Sequence, residues 1–368
     1  MTTAKRLLGL ILCVGIWFSG CERKEKPWHW VKYRADLQNT GVYDSTAVVE
    51  YHGVKWKFKT NNWIFSTPLV VRDRVYFGGV DGRLYALDVQ TGEKKWHFFT
   101  RDAVYSTPHL KDGRLYFAGM DGYFYAIRAA DGEVLWQFPT GETNSTSPAV
   151  HNGKVYFGSG NGVFYALDAE YGAVQWRYKT GGKIKSSPAL YQGTVYFGSG
   201  DGFLYALDAE NGRKKWEFGT HGAVYSSPSV KDRVVYFGGM DGNFYALDAH
   251  TGKLRWRFPT VAAVSSSPAV DEETVYFGTW NHYVYALDRK DGKIQWRFKT
   301  RGKILSSPSL ADGMLYIGSR DSCLYALDKV TGALKWKFKT GGWISATPVV
   351  VDGVVYFGSE DGYLYALY

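Results

Sequence analysis

The chain has 368 residues, 44 Lys and Arg against 35 Asp and Glu, a formal net charge of +9, 17% aromatic residues and three Cys. So few cysteines exclude a disulfide framework. The excess of cations invites a nucleic-acid reading, and where the cations sit along the chain decides against it.

At the N-terminus Lys5 and Arg6 precede an apolar run, 7–18, which leads into Ser19, Gly20 and Cys21. A charged n-region, an apolar h-region and small residues at the cut describe a signal peptide, expected over 1–20. The run is short of the roughly 20 residues that span a bilayer. Ser-Gly-Cys resembles a bacterial lipobox, with Phe18 where Leu is usual. That resemblance implies cleavage before Cys21 and lipidation of its sulfur; an uncleaved anchor and ordinary secretion are the alternatives. Several acyl chains on one Cys would hold the protein firmly at a membrane. Cys13 would leave with the signal. Cys323, on a strand, then remains alone and reads as a small buried apolar residue.

Residues 21–48 are expected to form a lipidated tether and a packing segment. The stretch 22–26 is charged. The stretch 30–41, WVKYRADLQNTG, resembles a Trp-x-x-Tyr/Phe-Arg-x-Asp…Thr-Gly segment found ahead of many pyrroloquinoline-quinone (PQQ)-like propellers, which implies that it packs on the disc with Trp30 and Tyr33 buried.

From residue 49 onward the chain repeats. Trp recurs at 56, 96, 136, 176, 216, 256, 296 and 336, and Pro at 68 through 348, always in steps of 40. Eight units fill 49–368 without an insertion or deletion. One unit contains four β-rich runs, 66–71, 75–79, 83–88 and 94–99, separated by turn residues. No apolar period near 3.6 persists, which disfavours helix. Four short strands per 40 residues predict an all-β fold, an eight-bladed β-propeller. The last unit lacks a fourth strand, and 54–59, VKWKFK, has the sequence of one. The N-terminal strand is therefore expected to close the ring by pairing Trp56 into the sheet that holds Tyr365.

The segment A-L-D-x-x-T-G-x-x-x-W, as in 86–96 and 326–336, resembles the tryptophan-docking motif of PQQ-like propellers, and the resemblance covers about seven-eighths of the chain. It implies that the Trp of one blade packs on the Ala and Gly of its neighbour, here through Trp56, Trp96, Trp136, Trp176, Trp216, Trp256, Trp296 and Trp336 with residues such as Ala86 and Gly92. Asp88 and its counterparts can cap the turn amides. Arg128 departs from that Asp, which predicts a weaker turn. His282 and Ser322 replace Gly82, which predicts two altered turns.

Fourteen Lys or Arg stand one before, one after or three after the repeated Trp. There they alternate with Trp and Phe on the outermost strand and guard an exposed sheet edge. A rim of charge around a disc is not a nucleic-acid groove, although it could attract anionic lipid. The eight His share no metal spacing. The Asp-Gly pairs read as turns, with no calcium loop among them. Ser66, Ser106, Ser186, Ser187, Ser226 and Ser227 read as strand-start residues without an attendant His/Asp pair. No metal and no catalytic residue is expected.

The repeats diverge at the turns before the first strand and between the second and third, expected on one face: Trp63, Phe65, Arg101, Tyr105, Glu142, Asn144, Lys183, Lys185, His221, Tyr225, Arg301, Lys303 and Trp343, then Met120, Met240, Trp280, Arg320 and Glu360. Aromatic, Met and Arg side chains suit recognition. The chain is similar to the propeller lipoproteins of the outer-membrane β-barrel assembly machinery, which implies a monomeric, non-catalytic, membrane-anchored scaffold in the cell envelope. Its partner would be an envelope protein such as that machinery, at the periplasmic face of the outer membrane. That family usually carries longer inter-blade loops. The other reading is a small-ligand or PQQ-dependent dehydrogenase-like propeller with calcium; its usual long insertions and Cys-Cys pair are missing here.

Overall fold

The computed structural model describes residues 32–368. The expected signal segment 1–20, Cys21, the charged stretch 22–26 and Trp30 lie outside the described residues. Within them there is no helix. Eight four-stranded antiparallel sheets follow one another around a ring. In blade 1 the strands are Leu69–Val71, Arg74–Gly79, Arg83–Asp88 and Lys94–Phe99. Blades 2 to 7 repeat this in steps of 40 residues, and the chain is the predicted eight-bladed propeller.

The second and third strands of each blade form the buried layer. In Arg83–Asp88 the four central residues are all buried, because blades cover both faces of the sheet. The fourth strand alternates. In Leu334–Lys339 the side chains of Lys335, Lys337 and Lys339 meet water, while Trp336 and Phe338 turn inward. This places the girdle of Lys and Arg on the rim. The innermost strand begins at Leu69, not at Ser66. Pro68 has no N–H to give the ladder, and the Ser66 hydroxyl is bound instead to Gly78, donating to its carbonyl at 2.9 Å and accepting its N–H at 2.8 Å.

Blade 8 consists of Val349–Val351, Val354–Gly358 and Tyr363–Leu367, with Val54–Lys59 as its fourth strand. Trp56 faces Ala366 and Lys57 faces Tyr365 across the ladder. His52 N–H and Gly53 N–H both reach the carbonyl of Tyr368.

Each blade is locked to the next by its Trp. The indole N–H of Trp216 donates to Ala249 O at 3.0 Å, and the same carbonyl accepts the Tyr196 hydroxyl at 3.0 Å. The ring lies flat on a turn glycine of the neighbouring blade. Gly212 has φ +72°, and a Cβ there would stand 2.6 Å from Trp176 Cε3, so only glycine satisfies both the backbone and the ring. Asp88 caps the same turn, accepting the N–H groups of Gln90 and Thr91 at 2.9 and 3.0 Å. Those two bonds hold its carboxyl down to about 2.

Two departures behave differently from one another. At Arg128 the cap is gone. The guanidinium pairs with Asp131 and Glu133 in solvent, and the indole N–H of Trp96, which packs on this turn, has no partner. At His282 and Ser322 the turn is not altered as the sequence predicted. Both residues adopt the left-handed conformation, φ 75° and 68°, because the flanking ladders fix the turn and the side chains bear its strain.

Candidate functional site

Residues 32–43 close one end of the central channel. Leu37, Gln38, Thr40 and Gly41 offer their carbonyls to the N–H groups of Leu190, Val230, Val270 and Leu310, the innermost strands of blades 4 to 7. The repeated prolines stand just before the innermost strands, and four of their carbonyls meet this segment. Asn39 Nδ2 donates to Pro188 O and Pro228 O at 3.1 and 3.0 Å. The two ends of the Arg34 guanidinium donate to Pro268 O and Pro308 O. Lys32 Nζ donates to Asn39 Oδ1 at 2.6 Å. Lys32, Arg34 and Asn39 are thus buried polar residues whose partners the segment itself supplies or finds in the ring, with Arg34 Nε alone among their side-chain nitrogens left without one. Burial pushes the Lys32 ammonium down to about 7, against the nearby Asp36 carboxylate, which acts the other way. His109, buried beside them, is likewise held well below its ordinary value by desolvation, with Lys32 adding to the effect. Tyr33, expected to be buried, is half-buried, and its hydroxyl donates to Ser267 Oγ at 3.2 Å.

Above this plug the channel opens as a funnel of about 170 Å³. Its floor is a ring of hydroxyls, one per blade, at every fortieth position from Thr67 to Thr347. The backbone N–H of Thr107 donates to Ser147 Oγ, that of Ser147 to Ser187, and so on to Ser307, each at 2.9 Å. Its walls include Phe65, Tyr105, Lys185 and Tyr225. Sequence reasoning treated these serines as strand starts and missed the ring; Thr or Ser before every repeated Pro was the available signal.

The loops that diverge between repeats surround the funnel mouth on one face. In blade 1 the two loops touch through Val80 N–H and Trp63 O. Three groups form. Trp63, Phe65 and Tyr105 run edge to face, with ring centroids 6.0 and 5.3 Å apart. Lys185 Nζ lies 5.1 Å from the Tyr225 ring. Across blades 6 to 8, Lys303 stacks on Trp280 at 5.0 Å and Arg320 on Trp343 at 4.8 Å. There Trp280 donates to Ser265 Oγ, and Ser345 donates to Glu360 Oε1 at 2.7 Å. Burial raises the Glu360 carboxyl above its ordinary value. Arg101, Lys183 and Arg301 are exposed and join none of these groups; Arg101 stands 5.8 Å from the Tyr123 ring. Trp63 and Trp343 are 50% and 48% exposed. Asn144 does not belong with them. It is fully buried, at the position that other repeats fill with Ile or Val, and donates to Thr140 Oγ1 at 2.9 Å.

Cys323 is buried and free, with its thiol pushed up by burial. Among the described residues no group of three His, Cys, Asp or Glu is placed to hold a metal.

A closed ring of eight Trp-docked blades with a short-looped, aromatic and cationic face defines a PQQ-like repeat propeller. The family model described as outer membrane protein assembly factor BamB matches 42–147, 120–227, 219–308 and 280–368, and the chain belongs to that family. No curated protein sequence matches it significantly. Among solved structures, BamB from Moraxella catarrhalis is similar at 20% identity over 85% of this chain and 96% of that one, with a TM-score of 0.74. Quinohemoprotein alcohol dehydrogenase from Comamonas testosteroni is similar at 17% identity over 92% and 80%, with a TM-score of 0.82. A europium-containing methanol dehydrogenase is similar at 15% identity over 93% and 98%, with a TM-score of 0.83. At these identities the likeness to the solved structures is one of fold, and fold does not carry activity. The funnel residues do not fit PQQ with calcium. The lining contains no carboxylate, and its volume is below the roughly 300 Å³ at which pockets for such ligands begin.

Proposed function

We propose that the protein is a non-catalytic scaffold of the bacterial cell envelope that docks a protein partner on the loop face around the funnel. The observation that carries this reading is the pair of cation–aromatic stacks, Lys303 on Trp280 and Arg320 on Trp343. Stacked, half-exposed Trp and Arg are rigid anchors that lose little freedom on binding. Membership of the BamB family supports an envelope address and a role in outer-membrane protein assembly. The lipobox-like Ser-Gly-Cys supports an anchor at Cys21, with the protein on the periplasmic face of the outer membrane.

The likeness to quinoprotein dehydrogenases keeps a second reading in view, a small-ligand or PQQ-dependent propeller, which the funnel's size and lining disfavour. Affinity capture of the lipidated protein from crosslinked, detergent-solubilised envelopes tests the first. Barrel-assembly components should be recovered, and lost when Arg301, Lys303 and Trp343 are changed to Ala together. Recovery of nothing reproducible would overturn the scaffold reading. Cys21→Ala should move the protein to the soluble fraction.

A further inference from the structure

The floor of the funnel gathers hydroxyl donors from every blade. Each residue of the ring is at least nine-tenths buried. Five of the oxygens already accept a backbone N–H from the preceding blade, as described, and a sixth, in Thr347, accepts one at 3.4 Å. Ser267 Oγ also meets the Tyr33 hydroxyl at 3.2 Å at the edge of the funnel, and the other ring hydroxyls have no described protein acceptor for their own protons. The space they line is the funnel, so their O–H groups converge on one small volume from all round the ring. Water in the open funnel can take these protons, and a guest rich in lone pairs would replace several such waters at once.

The charges around the floor select the guest. Lys185 stands in the funnel wall. Immediately behind the floor lies the guanidinium of Arg34, buried, with Asp36 the one carboxylate that acts on it. The funnel lining has no Asp or Glu. A cation would meet protons and positive charge; a neutral sugar would leave the charge unanswered. A volume of about 170 Å³ holds about five or six waters, enough for a group of a few heavy atoms.

We propose that this hydroxyl ring is a binding site for a small oxyanion, a phosphate or the carboxylate of a short acid, held by Oγ–H donors from several blades and by Lys185. This goes beyond the scaffold reading and does not depend on it, because a docked protein would cover the mouth without reaching the floor.

Titration calorimetry of the purified protein with inorganic phosphate, and separately with acetate, tests it at constant ionic strength set with chloride. One saturable site is expected for at least one of them, and which one saturates identifies the oxyanion. Lys185→Met should weaken it about tenfold, the size of one lost charge-assisted hydrogen bond. Ser187→Ala together with Ser227→Ala should abolish it. Because those two changes also remove acceptors for neighbouring backbone N–H groups and can unfold the ring, Lys185→Met serves as the variant that keeps the floor intact. No saturation in the millimolar range with either anion, or equal binding in wild type and Lys185→Met, would overturn the proposal, the latter as an adventitious ion only. Capture of the protein partner is a separate measurement, so either idea can fail alone.

Discussion

Seven blade junctions are built one way and the eighth another. At the seven, a Trp ring rests on a glycine of the turn that follows the neighbour's third strand. At the junction of blades 7 and 8, Trp336 has no such turn beneath it. Residues 46–53 take its place. Val48 O accepts the Trp336 indole N–H at 2.8 Å and the Tyr316 hydroxyl at 3.0 Å, the same two donors that Ala249 O accepts at an ordinary junction. Tyr51 covers the indole, with ring centroids 5.8 Å apart, and also meets Phe338 at 5.7 Å. What the junctions share is therefore a flat surface beside the ring and, at every one but that of Trp96, a carbonyl that accepts the indole N–H. The repeated motif is one way to provide them, and a strand entering from elsewhere in the chain is another.

The comparison can be broken most severely at the seam. Deleting 49–59 removes Tyr51, the fourth strand of blade 8 and Trp56 together, and opens a sheet edge. A loss of at least about 5 kcal/mol is expected, since truncating one buried Trp alone costs about 3–5. It would be seen as a sharp fall in melting temperature, and an unchanged melt would refute strand closure as the lock. At an ordinary junction Gly212→Val should cost about 2–5 kcal/mol, from left-handed backbone strain and overlap with the Trp176 ring. Gly113→Val is its control: φ is +74° with nothing within 4 Å of the added Cβ, so only the backbone term of about 1–3 kcal/mol remains. Equal losses in denaturant melts would show that the ring contact carries no weight.

The plug responds to pH. With Lys32 at about 7 in the fold and near 10.5 unfolded, both states hold the proton below about 7, and the cost of burying the charge is present in full. Between those values the unfolded chain binds the proton and the folded one does not, so stability rises with pH across this window. His109 works the same way at lower pH, losing stability as pH falls below its ordinary value, because only the unfolded chain then takes up the proton. Melting temperature should therefore climb from about pH 7 to about pH 9 in wild type and stay flatter in Lys32→Met. Equal slopes would contradict the burial of a titrating lysine. The smallest effect is expected at the one uncapped turn. Arg128→Asp should restore the carboxylate that accepts two turn N–H groups and stabilise by about 1 kcal/mol; a destabilisation would mean that the pairs of Arg128 with Asp131 and Glu133 matter more than the missing cap.

The propeller was legible in the sequence because its determinants recur. A Trp or Pro every 40 residues can be counted, and the strand 54–59 was recognised because it copies seven others. The plug was legible only as a resemblance, with aromatic residues expected to do the packing. Its burial instead depends on Lys32, Arg34 and Asn39, whose acceptors are each other and proline carbonyls 149 to 274 residues away, and a carbonyl leaves no trace in composition. The loop face was legible as variation between copies, which marks where the repeat is free to differ. Variation alone could not separate Asn144, which differs inside the core, from Trp63, which differs at the surface.

The plug also sets an order in time. Arg34 and Asn39 are translated before any blade, yet each needs two blades already standing to receive it, and those blades are 4 to 7. Bringing contacts so distant in sequence together is slow, so the segment at the hub is made first and placed late. Until then the proline carbonyls of those blades face an unfilled axis. A folding assay should find the blades protected from hydrogen exchange before residues 34–43 are, with the two ends of the assembly process running in opposite order to synthesis.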